Sequence, residues 1–237
     1  LHRCIYVLFF SYDSDDLRAL HSFPTRRSSD LALCGALKAS DARITELSRS
    51  GDGLDITDEA SVERTFCALD QTYDLLIVAT GALEIEGAEP EKSLKQISAK
   101  AMMDQFALNA VGPALILRHA ARLLDRKSAA HIGVLSARVG SIGDNRLGGW
   151  YSYRAAKAAV NQIVHTSAIE LARTHKSLAC VAMHPGTVQT PFTEKYVARH
   201  AAVPALEAAE NLLGVLGNLD SSHTGQFFDW SGERVPW

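Results

Sequence analysis

Short apolar runs bounded by turn residues alternate with longer segments of helical periodicity along most of this chain, and that alternation leaves few folds open. Leu75–Thr80, Ile132–Leu135 and Ala179–Met183 are almost continuously apolar, the pattern of strands buried on both faces. Ile44–Leu47, Leu54–Ile56 and Gln226–Phe228 complete the expected strands, and Asp58–Leu69, Ala99–Leu124, Tyr151–Arg173 and Leu206–Leu216 are the expected helices. Strands separated by helices imply a parallel sheet with helices on both faces and right-handed crossovers. Ligands then bind at the carboxyl ends of the strands, where the strand order reverses. With 237 residues and 47% hydrophobic composition, the chain can bury one sizeable core. The expected fold class is therefore α/β, a single Rossmann-like doubly wound domain.

Bulk properties exclude several kinds of partner. A net charge of −3 and a pI near 6.3, with no block of basic residues, give no electrostatic footprint for nucleic acid or an anionic membrane. Small molecules and further copies of the chain are the expected partners. Cys4, Cys34, Cys67 and Cys180 are scattered without Cys-x-x-Cys spacing, so buried, inert thiols in a cytoplasmic protein are expected. The nine histidines form no ligand cluster of the His-Glu-x-x-His kind, and no metal is expected. The early apolar run Cys4–Phe10 falls well short of the ~20 residues a membrane span needs, and it lacks the small-residue cleavage site of a signal peptide.

The residues able to carry chemistry gather at the strand ends. Thr80-Gly81 closes one apolar run, Ser136 the next, and His184-Pro185-Gly186 the one after, so three strand ends face one crevice. At the start of the Ala-rich helical segment stands Tyr151-Ser-Tyr153-Arg-Ala-Ala-Lys157, which puts a phenol and an ammonium on one helical face. A lysine at that spacing favours the phenolate and lowers the tyrosine pKa, so that the phenol can exchange a proton near neutral pH. Tyr-x-x-x-Lys alone is a weak string; its surroundings give it weight.

With Leu108-Asn109-Ala-Val-Gly-Pro113, Val134-Leu-Ser136-Ala-Arg-Val-Gly-Ser141 and His184-Pro-Gly-Thr-Val-Gln-Thr190 in that order, the chain resembles the short-chain dehydrogenase/reductase family from about Leu31 to Trp237. The wording is most similar to the small carbonyl-reductase and cell-signalling-factor branch. The resemblance implies that Tyr153 is the acid/base at the carbonyl oxygen, that Lys157 tunes it and holds the nicotinamide ribose, and that Asn109 is the helix-kink asparagine that holds a relay water. It also implies cofactor contacts from Thr80, Gly81, Asn109, Tyr153, Lys157, Pro185, Gly186, Val188 and Thr190.

One part of the pattern fits badly. The family reads Ser-x-x-Gly, and aligning Gly140 to that glycine puts Ala137 where the serine belongs. The hydroxyl that orients the carbonyl must then come from Ser136 or Ser141, and Ser136 is favoured because it directly ends a strand.

Cofactor choice follows from the second strand. Folds of this type place an acid at its end to bond the ribose of NAD, whereas an arginine there accommodates the extra phosphate of NADP. Here the strand ends Glu46-Leu-Ser48-Arg49, so NADP(H) is expected. Asp55 resembles the adenine-contacting aspartate of the family, although it could equally cap the helix that follows.

The beginning of the family pattern is missing. Relatives open with a central strand and a glycine-rich turn, Thr-Gly-x-x-x-Gly-x-Gly, that cradles the pyrophosphate, whereas this chain has no glycine before Gly35 and starts at Leu1. His21-Ser-Phe-Pro-Thr-Arg-Arg-Ser-Ser-Asp-Leu31 resembles the translation of one frame of a common sequencing-library adapter. The expected division is therefore a non-native or divergent segment over 1–31 and the short-chain dehydrogenase domain over 32–237. Loss of the central strand would open a gap of ~9–10 Å in the sheet, which the apolar run Cys4–Phe10 has the composition to fill.

The function expected from all of this is a cytoplasmic, NADP(H)-dependent oxidoreductase that moves a hydride between nicotinamide and a carbonyl or secondary alcohol. A homodimer or homotetramer would form through the helices Ala99–Leu124 and Tyr151–Arg173. The competing class is a non-catalytic nucleotide-binding or signalling protein on the same fold, which would gain nothing from a tuned phenol.

Overall fold

The protein is described from a computed structural model, which covers residues 4–10, 28–39, 42–188 and 202–237. Strands β1 (Cys4–Phe10), β2 (Arg43–Leu47), β3 (Leu75–Thr80), β4 (Ala130–Leu135), β5 (Leu178–His184) and β6 (Phe227–Asp229) form one sheet in the order β2-β1-β3-β4-β5-β6. Every pairing is parallel. Cys4–Phe10 thus fills the central position: Ile5 stands opposite Ile44 on one side and Leu75 on the other, and Phe10 is level with Thr80. Strand order reverses beside β1, so the crevice opens at the carboxyl ends of β1 and β3.

Alternation along the strands divides the core into two layers. Leu76, Val78, Ile132, Val134, Cys180 and Ala182 face one side, under α3 (Glu59–Cys67), α5 (Gly112–Leu123) and α6 (Tyr151–Leu171). Ile77, Ala79, Val181 and Met183 face the other, under α1 (Ser28–Lys38) and α7 (Ala205–Asn218). Leu33 and Leu37 of α1 and Leu212 and Leu216 of α7 close that second layer, which α1 extends across the boundary expected at residue 31.

Three local outcomes differ from the periodicity. Leu54–Ile56 is not a strand. Gly53, left-handed at φ 67°, closes the short helix α2 (Arg49–Asp52), and Asp55 Oδ1 then accepts from Thr57 N (2.9 Å) and Thr57 Oγ1 (2.6 Å), turning the chain into α3. Leu54 and Ile56 still bury, as the loop lies on the core. The cap of α3 is Asp58, whose side chain accepts from Ala60 N at 3.0 Å, so Asp55 is not the cap. Ala99–Leu124 is a helix broken once: α4 (Ala99–Phe106) passes through a π turn over Ala107–Val111 into α5.

Cys34 and Cys180 are buried and Cys67 is exposed, so the expectation of buried thiols fails for Cys67 on the outer face of α3. Burial pushes the Cys180 thiol up to about 12. Among the described residues, no helix is long and apolar enough to cross a membrane.

Candidate active site

The ends of β3, β4 and β5 and the first turns of α6 line one cleft that brings together Thr80, Gly81, Ser136, Tyr153, Lys157, Pro185 and Val188. Leu33 of α1 and Ala205, Ala208 and Leu212 of α7 form its apolar wall. These wall residues escaped sequence reasoning, because nothing in an ordinary helical pattern says that one of its faces borders a cleft.

Lys157 is 2% exposed, and its Nζ donates to the carbonyl of Leu135 at 3.1 Å while standing 5.8 Å from the centroid of the Tyr153 ring. Gly81 closes the other side of this group. A Cβ at that position would stand 2.5 Å from Asn109 Oδ1 and 2.7 Å from Lys157 Nζ, and its φ of 133° is one that side chains rarely adopt. Only glycine lets the end of β3 approach both side chains. Gly140 plays a similar part after β4, where a Cβ would meet the Lys157 backbone at 2.7 Å.

Asn109 sits in the π turn, wholly buried, with Oδ1 accepting from Ala82 N (3.1 Å) and Nδ2 donating to Ala82 O (3.0 Å) and Gln105 Oε1 (2.7 Å). Its carboxamide therefore clamps the segment that follows Gly81. Gln105 belongs to the same clamp through a bond from Nε2 to Leu83 O at 2.8 Å.

The two serines face inward. Ser136 Oγ donates to Asn161 Oδ1 at 2.5 Å, and Ser141 Oγ accepts from Asp144 N at 3.1 Å. Both are buried. The preference for Ser136 as the carbonyl-orienting hydroxyl meets a side chain that is already committed to α6, and half-buried Ala137 follows it with an extended backbone.

Arg49 opens α2 directly after β2, with Ser48 as N-cap, and its Nη2 lies 3.3 Å from Asp55 Oδ2. Partial burial pushes the Asp55 carboxyl up, but the Thr57 hydroxyl and amide and the Arg49 guanidinium together hold it below the usual carboxylate range. Gly186 is left-handed at φ 77°. Val188 is buried and forms a bridge with Val203. Thr190 lies outside the described residues.

His184 ends β5, directly before Pro185, and among the described residues its imidazole is the most perturbed. Burial pushes it down to about 4, against a smaller opposing pull from Asp229, and Arg138 adds to the lowering. Among the described residues one trio of donor side chains, Glu63 and Cys67 of α3 and His119 of α5, brings its ligand atoms within 4.8 Å of one another, where Arg118 Nη2 already holds Glu63 Oε2 at 2.7 Å.

A strand-end cleft beside the point where strand order reverses, with a buried lysine and a tyrosine on the adjoining helix, places the molecule in the doubly wound class of α/β protein. The chain belongs to the short chain dehydrogenase family, whose model matches residues 36–201. It is 32% identical to the C-signal of Myxococcus xanthus over 136 residues, 57% of this chain and 78% of that protein. It is 28% identical to the 1-hydroxy-2-glutathionyl-2-methyl-3-butene dehydrogenase of a Rhodococcus strain over 188 residues, 78% of this chain and 79% of that one. Among solved structures, the NADPH-bound carbonyl reductase from chicken fatty liver shares the fold with a TM-score of 0.78 at 22% identity, each chain covered in full.

Proposed function

We propose that this oxidoreductase uses NADP(H) to interconvert a carbonyl and a secondary alcohol, with Tyr153 as the proton donor and acceptor. The observation that carries the reading is the convergence of Tyr153, Lys157 and Gly81 on one cleft at the strand ends. The cleft fits the nicotinamide half of such a cofactor: Thr80 Oγ1 is buried there with no hydrogen-bond partner, and Gly81 leaves a cradle that a Cβ would fill. Arg49 at the end of β2, where an acid would select NAD, supports the phosphorylated form.

NADP(H), when bound, supplies or accepts the hydride. Tyr153 gives its phenolic proton to the carbonyl oxygen on reduction and takes it back from the alcohol on oxidation. The Lys157 ammonium, held by Leu135 O, stabilises the negative charge left on the phenol. Asn109 fixes Ala82 and, through it, the turn at Gly81 against which the reacting groups lie. Ser136 would orient the carbonyl only by leaving Asn161. The protein acts in the cytoplasm as a homodimer or homotetramer, with Met103 of α4, Val111 of the π turn and Ile169 of α6, all exposed, on the contact face.

The test is NADPH oxidation at 340 nm with a panel of aldehydes, ketones and quinones, run beside NADH. Turnover with NADPH is expected; tight NADPH binding without turnover on any carbonyl would favour the non-catalytic reading.

A further inference from the structure

We propose that Glu91 is a positioning residue for Tyr153, a role that rests on the function proposed above. The first turn of α6 cannot cap itself. Its N-cap residue, Trp150, makes no side-chain capping bond and stands in the left-handed region at φ 53° and ψ 43°. Gly148 and Gly149 precede it at φ 64° and 67°, so three successive left-handed residues lead into the helix that carries the acid/base pair. A non-glycine residue holds that backbone only where its surroundings enforce it.

Glu91, 61 residues away in sequence from Ser152, supplies the enforcement. Its backbone carbonyl accepts from Trp150 N at 2.5 Å, its Oε2 accepts from Ser152 N at 3.2 Å, and its Oε1 accepts from the Ser152 hydroxyl. Glu91 is 6% exposed and Ser152 2%, so water does not substitute for these bonds. A carboxylate on the open amides of a helix N-terminus is also favoured by the helix dipole. Tyr153 is the next residue. It lines a small recess together with Glu91 and Gln105. The two ends of the acid/base pair are thus held by different parts of the chain: Lys157 by β4 through Leu135, and Tyr153 by the loop after β3 through Glu91. A shift of the first turn would move the phenol relative to an ammonium that stays in place.

The test compares Glu91→Ala, Glu91→Gln and Ser152→Ala in the full chain by three readouts: amide exchange along α6, NADPH affinity, and kcat against KM for one carbonyl substrate. In Glu91→Ala, exchange is expected to rise at Ser152 and Tyr153 but not over Val160–Leu171, and kcat to fall by about tenfold or more, since small misplacements of a reacting group are costly. NADPH affinity should stay within about threefold. Glu91→Gln, which keeps the length and an acceptor oxygen, should restore kcat to within about threefold of wild type. Should the alanine variant fail to fold, Ser152→Ala, which removes the hydroxyl bond to Glu91, takes its place, with a rise in exchange at Tyr153 and a fall in kcat expected. Unchanged exchange at Ser152, or loosened exchange with an unchanged kcat, overturns the proposal. If the wild type itself shows no turnover, the proposed activity fails instead. Titration of the Tyr153 phenol by ultraviolet difference against Tyr153→Phe then replaces kcat, and an identical titration in wild type and Glu91→Ala overturns the positioning role.

Discussion

Lys157 Nζ donates to the backbone carbonyl of Leu135 at 3.1 Å, which ties the second turn of α6 to the last residue of β4. The ammonium is therefore anchored to the sheet as well as lying over the Tyr153 ring, an anchor that remains when the phenolic oxygen alone is removed. Tyr153→Phe should accordingly lower turnover by about 10²–10⁴-fold, the usual worth of a positioned acid/base group, and leave NADPH affinity nearly intact. Steady-state kinetics with a fluorescence titration of NADPH checks both; a variant keeping more than about a tenth of the wild-type rate contradicts the assignment.

Arg49→Asp should move cofactor preference from NADPH toward NADH. The substitution places a carboxylate where a 2′-phosphate would sit, and it also breaks the 3.3 Å pair with Asp55, leaving two acids side by side. The ratio of kcat/KM for the two cofactors is the measurement, and an unchanged ratio assigns Arg49 to Asp55 alone.

Ser136→Ala and Ser141→Ala separate the two candidates for the carbonyl-orienting hydroxyl, and Ala137→Ser tests the position where the family has its serine. Losing a real donor to the reacting oxygen costs on the order of 10²–10³ in rate. Because Ser136 already serves Asn161 and Ser141 already serves Asp144, each alanine variant is expected to lose stability more than rate. Ala137→Ser is expected to raise kcat, and an inactive Ser136→Ala with an unchanged melting temperature would reverse that order.

Stability should fall as pH drops from about 6.5 toward 4. In the unfolded chain His184 takes a proton near 6.5, but in the folded protein burial holds it neutral down to about 4. The unfolded state binds the extra proton throughout that window, so the contribution is complete above 6.5 and is lost on acidification, about 3 kcal/mol over the interval. His119, also shifted down by burial, acts in the same direction. Thermal melts across the window should show a shallower slope in His184→Gln; parallel slopes would remove His184 from the account.

The chain with its present residues 11–16 should bind NADPH weakly. Ser11-Tyr-Asp-Ser-Asp-Asp16 stands where the family has its glycine-rich turn, and three carboxylates repel a pyrophosphate. Residues 11–16 lie outside the described residues, and the repulsion follows from their charge alone. Replacing them with a turn of the Thr-Gly-x-x-x-Gly-x-Gly kind should recover binding and turnover together, by calorimetry and by rate; micromolar affinity in the unaltered chain would refute it.

Strands β3, β4 and β5 were legible because a strand buried on both faces is apolar at every position. Leu54–Ile56 was misread because a loop lying on the core buries the same alternate residues as a strand, and only the turn chemistry of Gly53 and Asp55 tells them apart. The acid/base pair could be read from spacing within one helix. Its supports could not, since Glu91 and Leu135 reach it from 61 and 22 residues away and no local pattern encodes such a meeting. Ser136 looked available at a strand end because its bond to Asn161 closes across 25 residues.

The π turn at Ala107–Val111 has a consequence for how this chain can change length. It holds one residue more than a regular helix needs over the same rise, so deleting any one of its residues would let α4 and α5 join as a straight α-helix with a more comfortable backbone. The same deletion would close the wide turn while the flanking turns keep their faces, and it would re-aim Asn109, which sits within that turn and clamps Ala82. A shorter chain at this point would have the better helix and the worse cleft, and length here is fixed by the cleft.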